Sequence, residues 1–248
     1  MYGLYKKNEM NFALAWIIAY VVLLSVSDNF SALLGIAKVI TAPVSIVFVL
    51  LILRFVKKHD LSKQYGLCSF NGSLKDYLYF IPLVLIIGFR FGNGITMNAS
   101  ATETVLYILS MLCVGFIEEI IFRGFLFKAM CKDNIKSAIF ISSITFGMGH
   151  IVNLLNGADL IPTLVQICYA TAIGFLFTII FYKGKSLWPC IIAHSVNNSV
   201  GIFTITDSSL ISKIISAAVM CIICMGYALL ILRKTKNLEE CGNEVARL

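Results

Sequence analysis

The stretch Gly115-Phe-Ile-Glu-Glu-Ile-Ile-Phe-Arg-Gly124 lies within a continuous apolar run over residues 104–126. At 1.5 Å per residue, a helix over this run is about 34 Å long and can cross the ~30 Å of hydrocarbon in a bilayer. A charged side chain near the middle of such a helix costs at least ~2.5–3.5 kcal/mol. The run therefore predicts a membrane-spanning helix, and Glu118, Glu119 and Arg123 indicate a functional site inside it.

The composition of the whole chain agrees with folding in lipid. Of its 248 residues, 59% are hydrophobic and 13% are charged, whereas soluble domains average about half and a quarter. Eight apolar runs are near the length of a membrane span, so we expect an all-α polytopic bundle of about eight transmembrane helices. Because no repeat or long linker separates the runs, residues 1–248 are expected to form a single integral-membrane domain. The runs cover residues 12–27, 39–53, 77–89, 104–126, 137–152, 160–182, 187–203 and 211–232.

The Lys and Arg residues predict how these spans are oriented. Sixteen of the twenty fall in loops on the side of the N-terminus, three fall on the other side, and Arg123 lies within a span. Because cytoplasmic loops are enriched in Lys and Arg, both termini are predicted to be cytoplasmic. The net charge of +7 then reflects topology and attraction to the lipid bilayer, and it does not indicate a nucleic-acid partner.

The first span admits a second interpretation. Lys6 and Lys7 precede it and Ser25-Val26-Ser27 follows it, which is the layout of a cleaved signal peptide. The later loops alternate in charge only if this helix is retained, so the sequence favours retention.

Helical spacing assigns a partner to each charge in the span 104–126. Residues four apart lie on one face of a helix, so Arg123 is expected to neutralise Glu119. Glu118 points about 100° away from Glu119 and has no charge partner on its own helix. This isolation suits Glu118 to the role of a general base.

Two histidines lie in other spans, in Phe146-Gly-Met-Gly-His150 and His194-Ser-Val-Asn-Asn198. His194 and Asn198 share a helix face and present two donors, as an oxyanion hole requires. At 1.5 Å per residue, Glu118, His194 and His150 lie about 15, 14 and 21 Å from the cytoplasmic ends of their spans. We expect them to meet in a cavity open to the cytoplasm, with Phe146 serving packing and Asn197 facing elsewhere.

Three patterns occur in order on separate spans: Glu118-Glu119-x-x-x-Arg123, Phe146-x-x-x-His150 and His194-x-x-x-Asn198. Each is short, but together they are specific. They resemble the CPBP family of intramembrane proteases, which contains the type II CAAX prenyl endopeptidases and the bacterial Abi and bacteriocin-immunity proteins. The resemblance covers residues 104–203, which we take as the core of the domain.

The resemblance implies a membrane hydrolase that acts on a peptide or protein, with bacteriocin processing or self-immunity in a bacterial plasma membrane as the expected setting. Glu118 and His150 would activate a water molecule for attack on a peptide carbonyl, and His194 and Asn198 would stabilise the oxyanion. Three residues would support them: Glu119, Arg123 and Phe146.

The use of a metal stays open at this point. Glu118, His150 and His194 are also a ligand set known from catalytic zinc sites. A metal-free site with the glutamate as base is equally compatible with these residues. The zinc-protease motif His-Glu-x-x-His does not occur in the sequence, which slightly favours the metal-free form.

Two other classes of protein are compatible with the same residues. Glutamates and histidines within membrane spans also carry protons in coupled transporters. A non-catalytic immunity or scaffold protein could keep the motifs as a binding site. Glu119 and Arg123 are also compatible with a purely structural ion pair, within an enzyme as well, and the two histidines with hydrogen bonds between helices.

Overall fold

A computed structural model describes residues 1–69, 81–97, 99–205 and 209–234. These residues form helices joined by short turns and contain no β-strand; one isolated antiparallel bridge joins Ile95 to Thr204. The all-α membrane fold predicted from composition is confirmed. The α-helices are α1 (Tyr2–Lys7), α2 (Glu9–Leu33), α3 (Thr41–Lys58), α4 (Ile81–Phe89), α5 (Ala101–Glu119), α6 (Lys128–Cys131), α7 (Ile135–Met148), α8 (Leu160–Gly184), α9 (Trp188–Ser199) and α10 (Leu210–Lys234).

Within the described residues, five helical stretches are long and apolar enough to cross a membrane. They coincide with five of the eight apolar runs of the sequence, and they make the protein an integral, multi-pass membrane protein. The stretches are Glu9–Leu33, Ala101–Cys131, Ile135–Leu154, Leu160–Gly184 and Leu210–Arg233.

The other three runs form shorter or more charged helices. The run 39–53 becomes α3, which has 18 residues and ends in cationic residues. The run 187–203 becomes α9, which has 12 residues, followed by a 3₁₀ turn. The run 77–89 lies outside the described residues up to residue 80, and its remainder is α4. The count of eight spans and the cytoplasmic termini remain predictions.

Ion pairs and hydrogen bonds near the ends of the helices define two ends of the bundle. At the first, which we call the lysine-rich end, Lys132 pairs with Glu9 at 2.6 Å and the Leu187 amide donates to the Gly66 carbonyl at 2.8 Å. At the second, the opposite end, contacts join three pairs of segments. They are Lys38 with Asp28 at 2.8 Å, Thr96 with Phe203 at 2.9 Å, and Asn153 with Gln166 at 2.9 Å.

The span that carries the two glutamates runs from the opposite end to the lysine-rich end. It begins with a capping box in which the Ser100 side chain accepts from the Glu103 amide and the Glu103 side chain accepts from the Ser100 amide. After α5 the backbone continues as a π-helical segment, Ile120–Phe127, and every residue of this segment is buried. π-helical turns within α-helices are frequent at functional sites, and this one contains Arg123.

Close packing between α5 and α9 depends on a glycine. A Cβ placed on Gly115 would lie 2.7 Å from the Ser195 amide nitrogen and 2.8 Å from its Cα. No real side chain fits at these distances, so Gly115 lets α9 come close enough to bring His194 beside the glutamates. Gly147 has the same effect between α7 and α8, where a Cβ would lie 2.9 Å from the Ile167 carbonyl oxygen.

We predict that Gly115→Ala lowers the thermal unfolding temperature of the detergent-purified protein by several degrees. Forcing a methyl group between packed backbones costs ~1–3 kcal/mol, and each kcal/mol shifts the midpoint by roughly 2–4 °C at this chain length. Gly226→Ala in α10 is the control, since nothing lies within 4 Å of its added Cβ, and it should match or exceed wild type. Equal midpoints for Gly115→Ala and wild type would contradict this packing.

Candidate active site

A fully buried ion pair lies at the base of the site. Arg123 Nη1 donates to Glu119 Oε1 at 3.0 Å, and neither side chain has exposed surface. This is the pairing that the four-residue spacing predicts. The second guanidinium nitrogen, Nη2, donates to the Gly174 carbonyl of α8 at 3.2 Å, and Cζ lies 4.1 Å from the ring centre of Phe146. Phe146 therefore has an electrostatic contact with the pair in addition to its packing.

His194 lies between the two neighbouring carboxylates. Its Nδ1 is 2.8 Å from Glu119 Oε1, and its Nε2 is 3.4 Å from Glu118 Oε2. Because a carboxylate only accepts, Nδ1 carries a proton and donates it to Glu119. A chain of contacts therefore runs from Arg123 through Glu119 and His194 to Glu118.

Glu118 occupies a different environment from Glu119. Its side chain is 14% exposed, and the phenol of Tyr20 in α2 donates to its Oε1 at 2.5 Å. No cation forms an ion pair with Glu118 in the part of the chain that the structure describes, except His194 when that ring is protonated. Of the two carboxylates, Glu118 is the one that reaches open space.

His150 reaches the site from the end of α7. Its Nδ1 lies 3.3 Å from the Phe146 carbonyl oxygen, which only accepts, so Nδ1 is the protonated nitrogen and Nε2 keeps its lone pair. The rings of His150 and His194 both lie edge-on to Phe146, each with its centre 5.7 Å from the centre of that ring. The regular helix α7 ends at Met148, and His150 lies in the 3₁₀ turn that follows, Gly149–Leu154.

Asn198 lies one helical turn after His194 and lines the same cavity. Its Oδ1 accepts from Asn197 Nδ2 at 3.4 Å, which leaves its own amide group as a donor. The expectation that Asn197 faces elsewhere is wrong, because Asn197 lines this cavity too.

A cavity of about 310 Å³ is lined by all four predicted catalytic residues, Glu118, His150, His194 and Asn198. A second cavity, of about 180 Å³, shares Glu118 and His150 with it and reaches Asp28 and Lys38. The cavity runs from Glu118 towards the opposite end of the bundle and not towards the lysine-rich end. The predicted opening to the cytoplasm and the predicted cytoplasmic position of the lysine-rich end are therefore incompatible with each other, and which of the two holds stays a prediction. Most of the residues that line the cavity lie in the opposite-end half of their helices. They include Arg90, Tyr107, Asn153, Gln166 and Tyr169.

The donors at the site do not assemble a three-ligand metal set. Glu118 and His194 approach each other, but within the described residues no three His, Cys, Asp or Glu side chains form a group able to hold one metal ion. The ring of His150 contacts its own segment of the chain, with Nδ1 3.3 Å from the Phe146 carbonyl oxygen.

Sequence reasoning missed several residues that the structure brings to the site. Tyr20 is the most direct of them, since it touches Glu118 from a different span. The signal was present, because a phenol in the middle of an apolar run needs a hydrogen-bond partner, but the partner could not be named from the sequence. Three more partners come from α8 and α9: Gly174, Phe177 and Asn197.

Comparison with known proteins gives two matches. A family model described as "Type II CAAX prenyl endopeptidase Rce1-like" matches residues 100–200. A protein of Bacillus subtilis (strain 168), named "Putative membrane peptidase YdiL", is 32% identical over 189 residues, which cover 66% of this chain and 69% of the relative. The chain belongs to the CPBP family of intramembrane proteases. CPBP membership makes it a protein of a CAAX-type membrane peptidase family, and the family match contains all three motifs.

The cavity direction and the charge distribution together predict which side of the membrane the CPBP site faces. We expect a membrane-impermeant maleimide added to intact cells to label Asn156→Cys, an exposed residue of the opposite end that lines the second cavity. Asp133→Cys, exposed at the lysine-rich end, should be labelled only after permeabilisation. Peptide mass spectrometry separates these labels from the eight native cysteines. The reverse pattern would place the cavity mouth in the cytoplasm and contradict the orientation predicted from Lys and Arg.

Proposed function

We propose that this protein is an intramembrane endopeptidase in which Glu118 is the general base. The observation that carries the proposal is the placement of Glu118 at the inner end of a cavity, between the Tyr20 hydroxyl at 2.5 Å and His194 Nε2 at 3.4 Å. A carboxylate held there by two polar groups is oriented for proton transfer to or from a water molecule in the cavity.

The reaction follows from these positions. Glu118 takes a proton from water while the water oxygen attacks the carbonyl carbon of the scissile peptide bond. His150 Nε2, whose lone pair is free, accepts a hydrogen bond from the same water and orients it. When the tetrahedral intermediate collapses, the C–N bond breaks and Glu118 returns the proton to the leaving amine, so the products are a carboxylic acid and an amine.

The oxyanion of the intermediate would be stabilised by His194 and Asn198. Asn198 accepts from Asn197 through its oxygen, so its amide nitrogen remains available as a donor. His194 donates from Nε2 when that nitrogen carries a proton. The Glu119–Arg123 pair and the ring of Phe146 hold the imidazole in place, which makes them positioning residues.

The substrate class that we propose is a membrane-associated peptide in a bacterium, with processing of a bacteriocin precursor or self-immunity as the biological setting. The support is the motif resemblance, which includes bacteriocin-immunity proteins, and the relative from Bacillus subtilis. A small peptide gene with a secretion leader next to the gene for this protein would agree with that setting.

We predict that Glu118→Gln lowers peptide cleavage by at least ~10²-fold, the contribution expected of a positioned general base. Purified protein in lipid nanodiscs is incubated with a pool of synthetic peptides, and the fragments are quantified by mass spectrometry. Tyr20→Phe should give a smaller loss, because it removes one hydrogen bond from Glu118 and leaves the base in place.

Glu9→Gln is the matched control for this test, since it replaces a glutamate in a partly exposed ion pair at the lysine-rich end and should leave cleavage unchanged. Cleavage by folded Glu118→Gln at the wild-type rate would overturn the proposed function. Proton flux in liposomes that Glu118→Gln abolishes, without any cleavage by wild type, would indicate a transporter instead.

We propose a reaction in which no step uses a metal ion, so cleavage should persist after dialysis against a strong chelator. The reason is the donor geometry, in which no three His, Cys, Asp or Glu side chains of the described residues form one group of metal ligands. Activity lost on chelation and restored by Zn²⁺ alone would contradict this, and it would assign Glu118, His150 and His194 to a metal.

A further inference from the structure

Arg90 is a cation in the wall of the larger cavity, and the reaction above assigns it no role. It begins a 3₁₀ turn, Arg90–Asn93, directly after α4, and its side chain is partly buried. Among the residues that line the larger cavity, Arg90 is the one permanent cation and Glu118 the one carboxylate. The cavity thus has a negative group at its inner end and a positive group towards its mouth.

No carboxylate in the described part of the chain pairs with Arg90. Most buried or half-buried cations nearby do have such a partner, as Arg123 has Glu119 and Lys38 has Asp28. A guanidinium in a cavity wall is suited to bind an anion, because its planar donors match a carboxylate in two parallel hydrogen bonds.

Arg90 and Tyr107 approach each other beside Gly201, in the wall of the larger cavity. Arg90 Nη2 and the Tyr107 hydroxyl lie 3.1 and 3.0 Å from the point that a Cβ on Gly201 would occupy. The two donors therefore lie close together against Gly201, and the cavity that both of them line is the space open to an anion. Tyr107 can add a third hydrogen bond to an anion held by the guanidinium.

The distance from Arg90 to the catalytic groups corresponds to a few peptide residues. Gly201 follows His194 by seven residues, the first five in α9 and the last two in a 3₁₀ turn. With rises of 1.5 and 2.0 Å per residue, Gly201 lies about 11 Å from His194 along the helix. An extended peptide advances about 3.3 Å per residue, so this distance spans three or four residues.

We propose that Arg90 binds a carboxylate of the substrate peptide, three or four residues from the bond that is cleaved. The proposal rests on the proposed protease function. The carboxylate belongs either to the C-terminus of the peptide or to an Asp or Glu side chain, since both present the same oxygen pair. In either case Arg90 sets the register of the peptide against Glu118 and is a specificity-determining residue.

The test uses the peptide pool in matched forms. Each sequence is made with a free C-terminal carboxylate and with a C-terminal amide, and each Asp or Glu has an Asn or Gln counterpart. Wild type should cleave one carboxylate form with a kcat/KM at least ~10-fold above its neutral partner, mainly through KM. The form that shows the preference identifies the source of the carboxylate.

Arg90→Gln should abolish this preference, and Arg90→Lys should keep part of it because the charge remains. Lys213→Gln is the control, since Lys213 is a cation in the opposite-end half of α10 that does not line the cavity. An equal loss for charged and neutral peptides with Arg90→Gln would show a structural role and overturn the proposal. A loss seen in nanodiscs but not in detergent would overturn it in favour of a lipid headgroup contact.

A second measurement separates this inference from the proposed function. The Glu118→Gln protein, immobilised, is exposed to the same pool, and the retained peptides are compared with those retained by the Glu118→Gln, Arg90→Gln double variant. Preferential retention of one carboxylate form, lost in the double variant, supports Arg90 whether or not cleavage occurs. Retention without any carboxylate preference overturns the role of Arg90, whereas failure of wild type to cleave any peptide overturns the proposed function.

Discussion

Two opposite charges without exposed surface, Glu119 and Arg123, must find all their partners inside the protein. Removing one member of such a pair typically costs ~3–5 kcal/mol, because the other charge is left alone in an apolar environment. The partners come from three other helices: the Gly174 carbonyl of α8, the Phe146 ring of α7 and the His194 imidazole of α9. The contacts of this pair therefore join the spans that carry the motifs.

The same arrangement separates the roles of two adjacent carboxylates. Glu119 is fully buried, paired with Arg123 and bonded to His194. Glu118 is partly exposed, and Tyr20 and His194 contact it from two other helices. One residue of helical rotation, about 100°, is enough to place one glutamate in the packed interior and the other at a cavity. His194 links them, so the ion pair controls the orientation of the ring that faces Glu118.

The direction of the cavity illustrates how far distances counted along helices can be used. Counting residues placed Glu118 and His194 at similar depths, and the structure does bring them together. The residue count does not say on which side of Glu118 and His194 the helices diverge. Gly115 holds α5 and α9 in contact near His194, whereas polar residues such as Asn153 and Gln166 line the space nearer the opposite end. The cavity follows this separation of the helices.

The sequence by itself determined the membrane environment, the helical class, the three motifs and the pairing of Glu119 with Arg123. These properties depend on composition and on spacing along one helix, which are local. Only the tertiary structure decided that Tyr20 contacts Glu118, that His194 lies between two carboxylates, that Asn197 lines the cavity and that Arg90 faces its mouth. Contacts between spans depend on the rotation, tilt and close approach of helices far apart in the chain, and no spacing within a single span contains that information.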